Sequence, residues 1–279
     1  MTPQEGIARA RQEARNLHRR FGVESVHHVD VQAFAERLKV QIVDRPLRGA
    51  FAQLVVNRRR ARILLSERLG DLSMRRVAIA HELGHYVLGH PSPPLAELCA
   101  PRPQKPSLDP SERDFENEAH GFALELLTPG CAVGALCRRR DPNLMLCAQL
   151  SISAWVPIEH AAIRITEASE RICAAVLSTR EGIVWVSPSK RFIAELGESL
   201  NLALHEGHPL DPHSLAWRIL DRAAPCVPAQ VPAAAWLGMP GLPLLEESVP
   251  VGHQGAVLTT LWAAPLEAAL AAPSFRMVL

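Results

Sequence analysis

The chain has 279 residues, 48% of them hydrophobic and 21% charged, with a formal net charge of +1; this excludes a disordered chain and any global electrostatic pull toward nucleic acid or membrane. The length exceeds what one core needs, so two or three domains are expected. The six cysteines (99, 131, 137, 147, 173, 226) form neither a CxxC pair nor a disulfide-scaffold spacing, the start Met1-Thr2-Pro3-Gln4-Glu5 lacks a signal-peptide core, and no apolar run reaches membrane-spanning length, so a reducing cytoplasm is the expected compartment and no membrane partner is expected.

From about Pro3 to Phe21, Ile7, Ala10, Ala14 and Leu17 recur at three- and four-residue steps, the pattern of a one-faced helix. His27 and His28 read as loop residues, and Asp30 as the N-cap of a short helix from Val31 to Leu38. The period then changes to that of strands: Val40 to Val43, Ala50 to Val56 after a turn at Arg48-Gly49, and Ala61 to Ser66 after a polar turn at Asn57 to Arg60. A small sheet of about three strands is expected, and Ala61 to Ser66 is the candidate edge strand for binding an extended peptide. The basic clusters Arg58-Arg59-Arg60 and Arg138-Arg139-Arg140 are short and read as a solvated turn and a helix end.

His81-Glu82-Leu83-Gly84-His85 follows. Residues four apart lie one turn above each other on a helix, so His81 and His85 can grip one metal ion while Glu82 stands where it can take a proton from water. Val77, Ala80, Leu83, Gly84, Val87 and Leu88 make the helix apolar and hence buried, and burying two histidines and a glutamate without a partner would be costly. Zinc is the expected metal, with manganese as the second candidate, and a catalytic zinc needs a third protein ligand. After His90 a proline-rich stretch to Pro110 reads as a loop that could cover the site; Asp109-Pro110-Ser111-Glu112 then opens a second helix with N-cap, proline and capping-box glutamate. On that helix Phe115, Ala119, Phe122, Ala123, Leu126 and Leu127 define an apolar stripe; Glu116 falls inside it and Glu118 about 200° away, which favours Glu116 as the ligand. His120, one turn on, could orient a ligand or stabilise an oxyanion, as could Tyr86, or His120 could stand half-exposed at the stripe's edge. His90 projects about 180° from His81 on the first helix and reads as an end-of-helix residue.

Residues 76–86 and the run Phe115-Glu116-Asn117-Glu118-Ala119-His120-Gly121-Phe122-Ala123-Leu124-Glu125-Leu126-Leu127-Thr128-Pro129 together resemble the ImmA/IrrE metallopeptidases, and Arg48-Gly49-Ala50 and Arg62 to Ser66 are similar to that family's sheet. The resemblance runs from about Leu17 to Pro129. It implies a gluzincin-like metallopeptidase domain with zinc on His81, His85 and Glu116 and Glu82 as the base. Two positions depart from the family: His120 stands where asparagine is usual, and Thr128 replaces a methionine.

Beyond Pro129, a short helix from Ala132 to Leu136, a helix holding Leu144, Leu146 and Leu150, a break at Ser151-Ile152-Ser153 and a helix from Ala154 to Ile165 form a helix-turn-helix-like pair. Ala154, Trp155, Val156, Pro157, Ile158 and Glu159 occupy the start of the second helix, where a DNA reader would carry basic and amide side chains, so packing or partner contact is favoured over DNA. Ile172 to Leu177 and Ile183 to Val186 form a hairpin about Thr179 to Gly182; helices follow near Phe192 to His205 and Pro212 to Leu220, then a proline- and alanine-rich loop from Ala223 to Leu245, and a second hairpin, Leu244 to Val251 with Ala256 to Trp262. His205-Glu206-Gly207-His208 has the wrong spacing for the metal motif and reads as a helix end.

The expected fold is therefore α+β: a metallopeptidase domain over residues 1–130, the helical pair over 131–168, and an α/β accessory domain over 169–279 at the place where the family's radiation-response regulators carry a GAF-like sensor. The expected activity is that of a zinc metallo-endopeptidase. The resemblance implies a protein substrate, a helix-turn-helix transcriptional repressor cut to release stress-response or mobile-element genes. The alternative is a non-proteolytic, metal-containing regulator that binds a repressor, toxin or DNA.

Overall fold

The computed structural model describes residues 2–25, 29–47, 50–57, 60–91, 110–222, 226–238, 244–252 and 255–263. Expectations for His27, His28, the Arg48-Gly49 turn, the proline-rich loop and the Asp109 cap lie outside them. The chain is mixed α+β and divides into two compact units, Met1–Val133 with Leu150–His160 and Gly134–Gln149 with Ala161–Leu279. Among the described residues no single helix is long and apolar enough to cross a membrane.

In the first unit, α1 (Pro3–Phe21) opens with a capping box between Thr2 and Glu5 and buries Gly6, Ala10, Ala14 and Leu17. Asp30 caps α2 (Val31–Arg37), accepting from the amides of Gln32 and Ala33 at 2.9 and 3.1 Å. Strands β1 (Val40–Arg45), β2 (Ala52–Asn57) and β3 (Arg60–Ser66) form a sheet in the order β1-β3-β2, with β1 parallel and β2 antiparallel to β3. The expectation that Ala61 to Ser66 is the free edge is therefore wrong. Pairing on both sides spends the main-chain groups of β3, and β2 is an edge.

Helix α3 (Leu72–Leu88) packs on β2 and β3, and α4 (Pro110–Leu127) packs on both α3 and α1. Asp71 caps α3 by accepting from the Met74 amide at 3.0 Å, and Gly89 ends it with φ 70°, a conformation open to glycine. Gly84, inside the histidine motif, sits where α3 and α4 come closest: a Cβ there would lie 3.1 Å from the Ala119 backbone and from Phe122 Cδ1. A larger residue would push α4 away from the motif helix.

Helices α5 (Gly130–Cys137), α6 (Leu144–Ala154) and α7 (Ile158–Ala168) follow. The break in the helical pair comes at 155–157, after the expected Ser151 to Ser153: Trp155 takes φ 53° and Pro157 bars its neighbour from helix, while Ser151 stays helical and donates its hydroxyl to the Val156 carbonyl at 2.7 Å.

The second unit is built on an antiparallel sheet of β4 (Cys173–Thr179), β5 (Gly182–Pro188), β6 (Ala229–Val231), β7 (Leu244–Val251) and β8 (Ala256–Ala263), in the order β5-β4-β8-β7-β6. One face meets α8 (Lys190–Leu196), α10 (Leu215–Arg222) and α11 (Ala234–Leu237) through Phe192, Ile219 and Trp236. The expected helix near Phe192 to His205 is split by Gly197 into α8 and α9 (Ser199–Leu202), so His205 to His208 lies in a turn beyond it. Within the expected loop from Ala223 to Leu245, the described residues hold β6 and α11.

Candidate metal centre

Helix α3 carries His81 and His85 on one side, and α4, drawn close at Gly84, brings Glu116 to them. His81 Nε2 lies 3.0 Å from His85 Nε2 and 3.1 Å from Glu116 Oε2, and His85 Nε2 lies 3.5 Å from Glu116 Oε1. One donor atom from each of the three falls within 4.8 Å of the others, the only such group among the described residues. The imidazoles beside it, that of His81 first and then that of His85, hold the Glu116 carboxyl far below the usual carboxylate range. Two imidazole nitrogens and an ionised carboxylate, converging from one side, suit a divalent metal such as zinc and leave its other side open.

That side is a cleft of about 450 Å³ lined by Phe51, Gln53 and Leu54 of the β2 edge, Met74, Val77 and Ala78 of α3, and Pro91, as well as by the donors and Glu82. Burial raises the Glu82 pKa, opposed by the nearby His81 and His85 and by a hydrogen bond from the Leu54 amide. Glu82 thus faces the cleft with its carboxylate tied to the edge strand.

Residues 35–150, which contain this whole constellation, match the family model of the peptidase M78 group, described as the IrrE N-terminal-like domain. Over these residues the chain is similar to the ImmA/IrrE family. No curated protein matches the chain significantly. Among solved structures it is similar to a Mycobacterium tuberculosis transcriptional regulator, with a TM-score of 0.56 at 11% identity over 91% of this chain and 76% of the other; the likeness is one of fold.

Within this domain, two buried residues escape helix-face reasoning. The expectation that Glu116 is the buried acid of α4 is inverted. The Glu116 side chain is 50% exposed at the cleft, whereas that of Glu118 is 6% exposed, because α4 has a second packed face against α1. His90 does not continue the helical progression. At Gly89 the chain turns back, the His90 amide bonds the His85 carbonyl at 3.0 Å, and the buried His90 ring comes to rest beside His85 and Phe115. Burial lowers the His90 pKa, opposed by a hydrogen bond to Glu118.

His120 packs against His160 of α7, with ring centroids 5.6 Å apart, and neither His120 nor Tyr86 is among the cleft's described lining residues. The His160 Nδ1 is buried without a hydrogen-bond partner among the described residues, and desolvation, helped by His120, pushes the His160 pKa down to about 4. No local sequence signal relates positions 120 and 160. Thr128, at the position where the family resemblance departs, is buried and donates its hydroxyl to the Leu124 carbonyl, so it satisfies itself within the helix end.

Proposed function

We propose that this chain is a zinc-dependent endopeptidase whose substrate is a helix-turn-helix transcriptional repressor. The observation that carries the chemistry is the convergence of His81, His85 and Glu116 with Glu82 beside them, all facing a cleft bordered by β2, the outer strand of the sheet among the described residues. Zinc, or manganese in its place, would be held by His81, His85 and Glu116 and would supply Lewis-acid polarisation of the scissile carbonyl and activation of water.

The substrate would lie extended along β2. The Phe51 carbonyl bonds the Ser66 amide, so alternation turns the main-chain groups of Ala52, Leu54 and Val56 to the open side, and the Leu54 amide already meets Glu82 there. A peptide added to this edge passes directly beside Glu82. Phe51, Val77 and Met74 offer apolar surface to a substrate side chain, and Phe51 is 62% exposed. Glu82 takes a proton from the attacking water and later gives it to the leaving amine; its raised pKa brings it nearer to that dual role.

The arrangement of two histidines on one helix and a glutamate on the next supports a gluzincin-like reading of the domain. For the second unit we propose a GAF-like sensor domain, supported by its five-stranded antiparallel sheet and its place after the peptidase half. DNA contact is not part of the proposal, since Glu159 is the charged residue in the first turn of α7. The second reading, a non-proteolytic regulator acting on a repressor, toxin or DNA, draws on the likeness to a transcriptional regulator. Glu82 weighs against it, because a purely structural metal needs no base.

The test incubates the full chain with the helix-turn-helix repressor encoded nearest in the genome, with zinc, with chelator, and as Glu82→Gln. Cleavage is expected with zinc, is lost with chelator, and falls by about 10² to 10⁴ in the variant while zinc content stays unchanged. Undiminished cleavage by Glu82→Gln would sink the mechanism, and cleavage of no neighbouring repressor would favour the regulator.

A further inference from the structure

Behind the metal-ligating face of His85 stands a row of polar side chains whose bonding can be followed atom by atom. His85 Nδ1 lies 3.0 Å from His90 Nδ1; His90 Nε2 lies 3.2 Å from Glu118 Oε2; the same oxygen lies 2.9 Å from Arg9 Nη2. Arg9 comes from α1, 109 residues away in sequence from Glu118. A guanidinium has donors only, so the oxygen it meets is an acceptor, and His90 must donate to that oxygen from Nε2. A neutral His90 then has only a lone pair at Nδ1, and the contact with His85 is a hydrogen bond only if His85 carries its proton on Nδ1. His85 Nε2 is left with a bare lone pair, directed at His81 and Glu116.

We propose that Arg9, Glu118 and His90 are positioning residues that fix the tautomer and ring orientation of His85, so that its Nε2 is ready for metal before any metal arrives. The proposal rests on the metal-centre reading of His81, His85 and Glu116. The packing is arranged for it. The side chains of His90 and Glu118 are only 2% and 6% exposed, so neither has water as an alternative partner. Gly6 of α1 clears the space for the carboxylate: a Cβ there would collide with Glu118 Oε1. Phe115 stacks on the His90 ring at 4.7 Å and keeps its two nitrogens aimed at His85 and Glu118. Polar groups behind a ligating histidine commonly matter for affinity almost as much as ligands do, because they hold the ring and raise its basicity.

A space-filling role and a proton-ordering role separate by substitution. Glu118→Met keeps the volume and removes the acceptor, whereas Glu118→Gln can keep an acceptor where Oε2 stands; His90→Phe keeps the stack on Phe115 and removes both nitrogens. Full-length protein with ¹⁵N-labelled histidine is studied by NMR without metal at neutral pH, and zinc affinity is then measured by competition with a chromophoric chelator. The wild type should show His85 protonated on Nδ1 and His90 on Nε2. Glu118→Met and His90→Phe should mix the His85 tautomers and lose about 10- to 100-fold in zinc affinity, while Glu118→Gln stays within about threefold. A wild-type His85 protonated on Nε2, or zinc binding by folded Glu118→Met and His90→Phe within about threefold of wild type, overturns the proposal. Should one of these variants not fold, the other and the wild-type tautomer still decide. Absence of zinc binding by the wild type refutes the metal centre itself, while the metal-free spectrum still reads the tautomer.

Discussion

Two glutamates, one in each unit, show how the same side chain is made chemical or inert. Glu246, fully buried on β7, accepts from the amides of Leu215 and Ala216 at 3.0 and 2.8 Å, from Trp236 Nε1 at 2.8 Å and from the Ser248 hydroxyl at 2.9 Å. Each oxygen takes two bonds, so none is left for a reaction; the carboxylate caps α10 and joins it to the sheet and α11. Glu82 is half-buried, and desolvation raises both pKa values, but it takes a main-chain bond from the β2 edge and otherwise faces open cleft. Perturbation of a pKa marks both groups. Unspent hydrogen-bonding capacity facing a cavity marks only Glu82.

Glu246→Leu breaks this comparison hardest. It orphans two amides and an indole N–H in the core, while the Ser248 hydroxyl keeps Thr259 at 2.8 Å, and should destabilise the second unit by about 4 kcal/mol in urea unfolding followed by Trp fluorescence, with zinc binding unchanged. A loss under about 1 kcal/mol would mean that the three donors find other partners.

Histidines repeat the contrast inside the first unit. His90 spends both ring nitrogens, whereas His160 has a buried Nδ1 with no partner among the described residues. Its pKa of about 4, against 6.5 in the unfolded chain, means that the folded state refuses a proton that the unfolded state accepts. Stability is therefore full above pH 6.5, falls as the pH drops from 6.5 to 4 by about 3 kcal/mol, and is flat in this respect below pH 4. Unfolding free energies across this window should lose that slope in His160→Phe. An unchanged slope would assign the acid sensitivity to other groups.

What the sequence discloses about the site is whatever is local. The four-residue step from His81 to His85, the N-cap at Asp30 and the turn at Gly182 each lie within one stretch of chain, where periodicity and capping chemistry act directly. What it conceals depends on pairing between distant stretches. β2 rather than β3 borders the cleft because strand order is a tertiary fact. Glu118 is buried because α1 lies across it at Gly6, and His90 reaches His85 because Gly89 reverses the chain; a helical wheel represents neither event. The apolar stripe of α4 does describe the face against α3, although Glu116 itself opens to the cleft. Trp155 at positive φ gives no sign of itself in a sequence, since an aromatic residue there is uncommon, and it moves the break in the helical pair.

The smallest effect concerns the start of the helix that carries the motif. Asp71 Oδ1 accepts from the Met74 amide at 3.0 Å and from the Ser73 hydroxyl at 2.6 Å, and these bonds, the Ser73 one first, lower its pKa. A lowered carboxyl contributes stability that is present above its ordinary pKa and lost as the pH falls through the lowered one. Asp71→Ala should cost about 1 kcal/mol near neutral pH, the usual worth of an N-cap, and Asp71→Asn should recover most of it because the amide oxygen also caps. The cap lies ten residues before His81 on a helix fixed by packing on β2, β3 and α4, so the loss should stay in global unfolding and leave zinc affinity within about twofold. A larger fall in affinity at unchanged fold would show that the first turn of α3 helps to orient the metal ligands, and the distinction between a scaffold that only holds the cleft and residues that tune it would move from His90 and Glu118 to the whole helix.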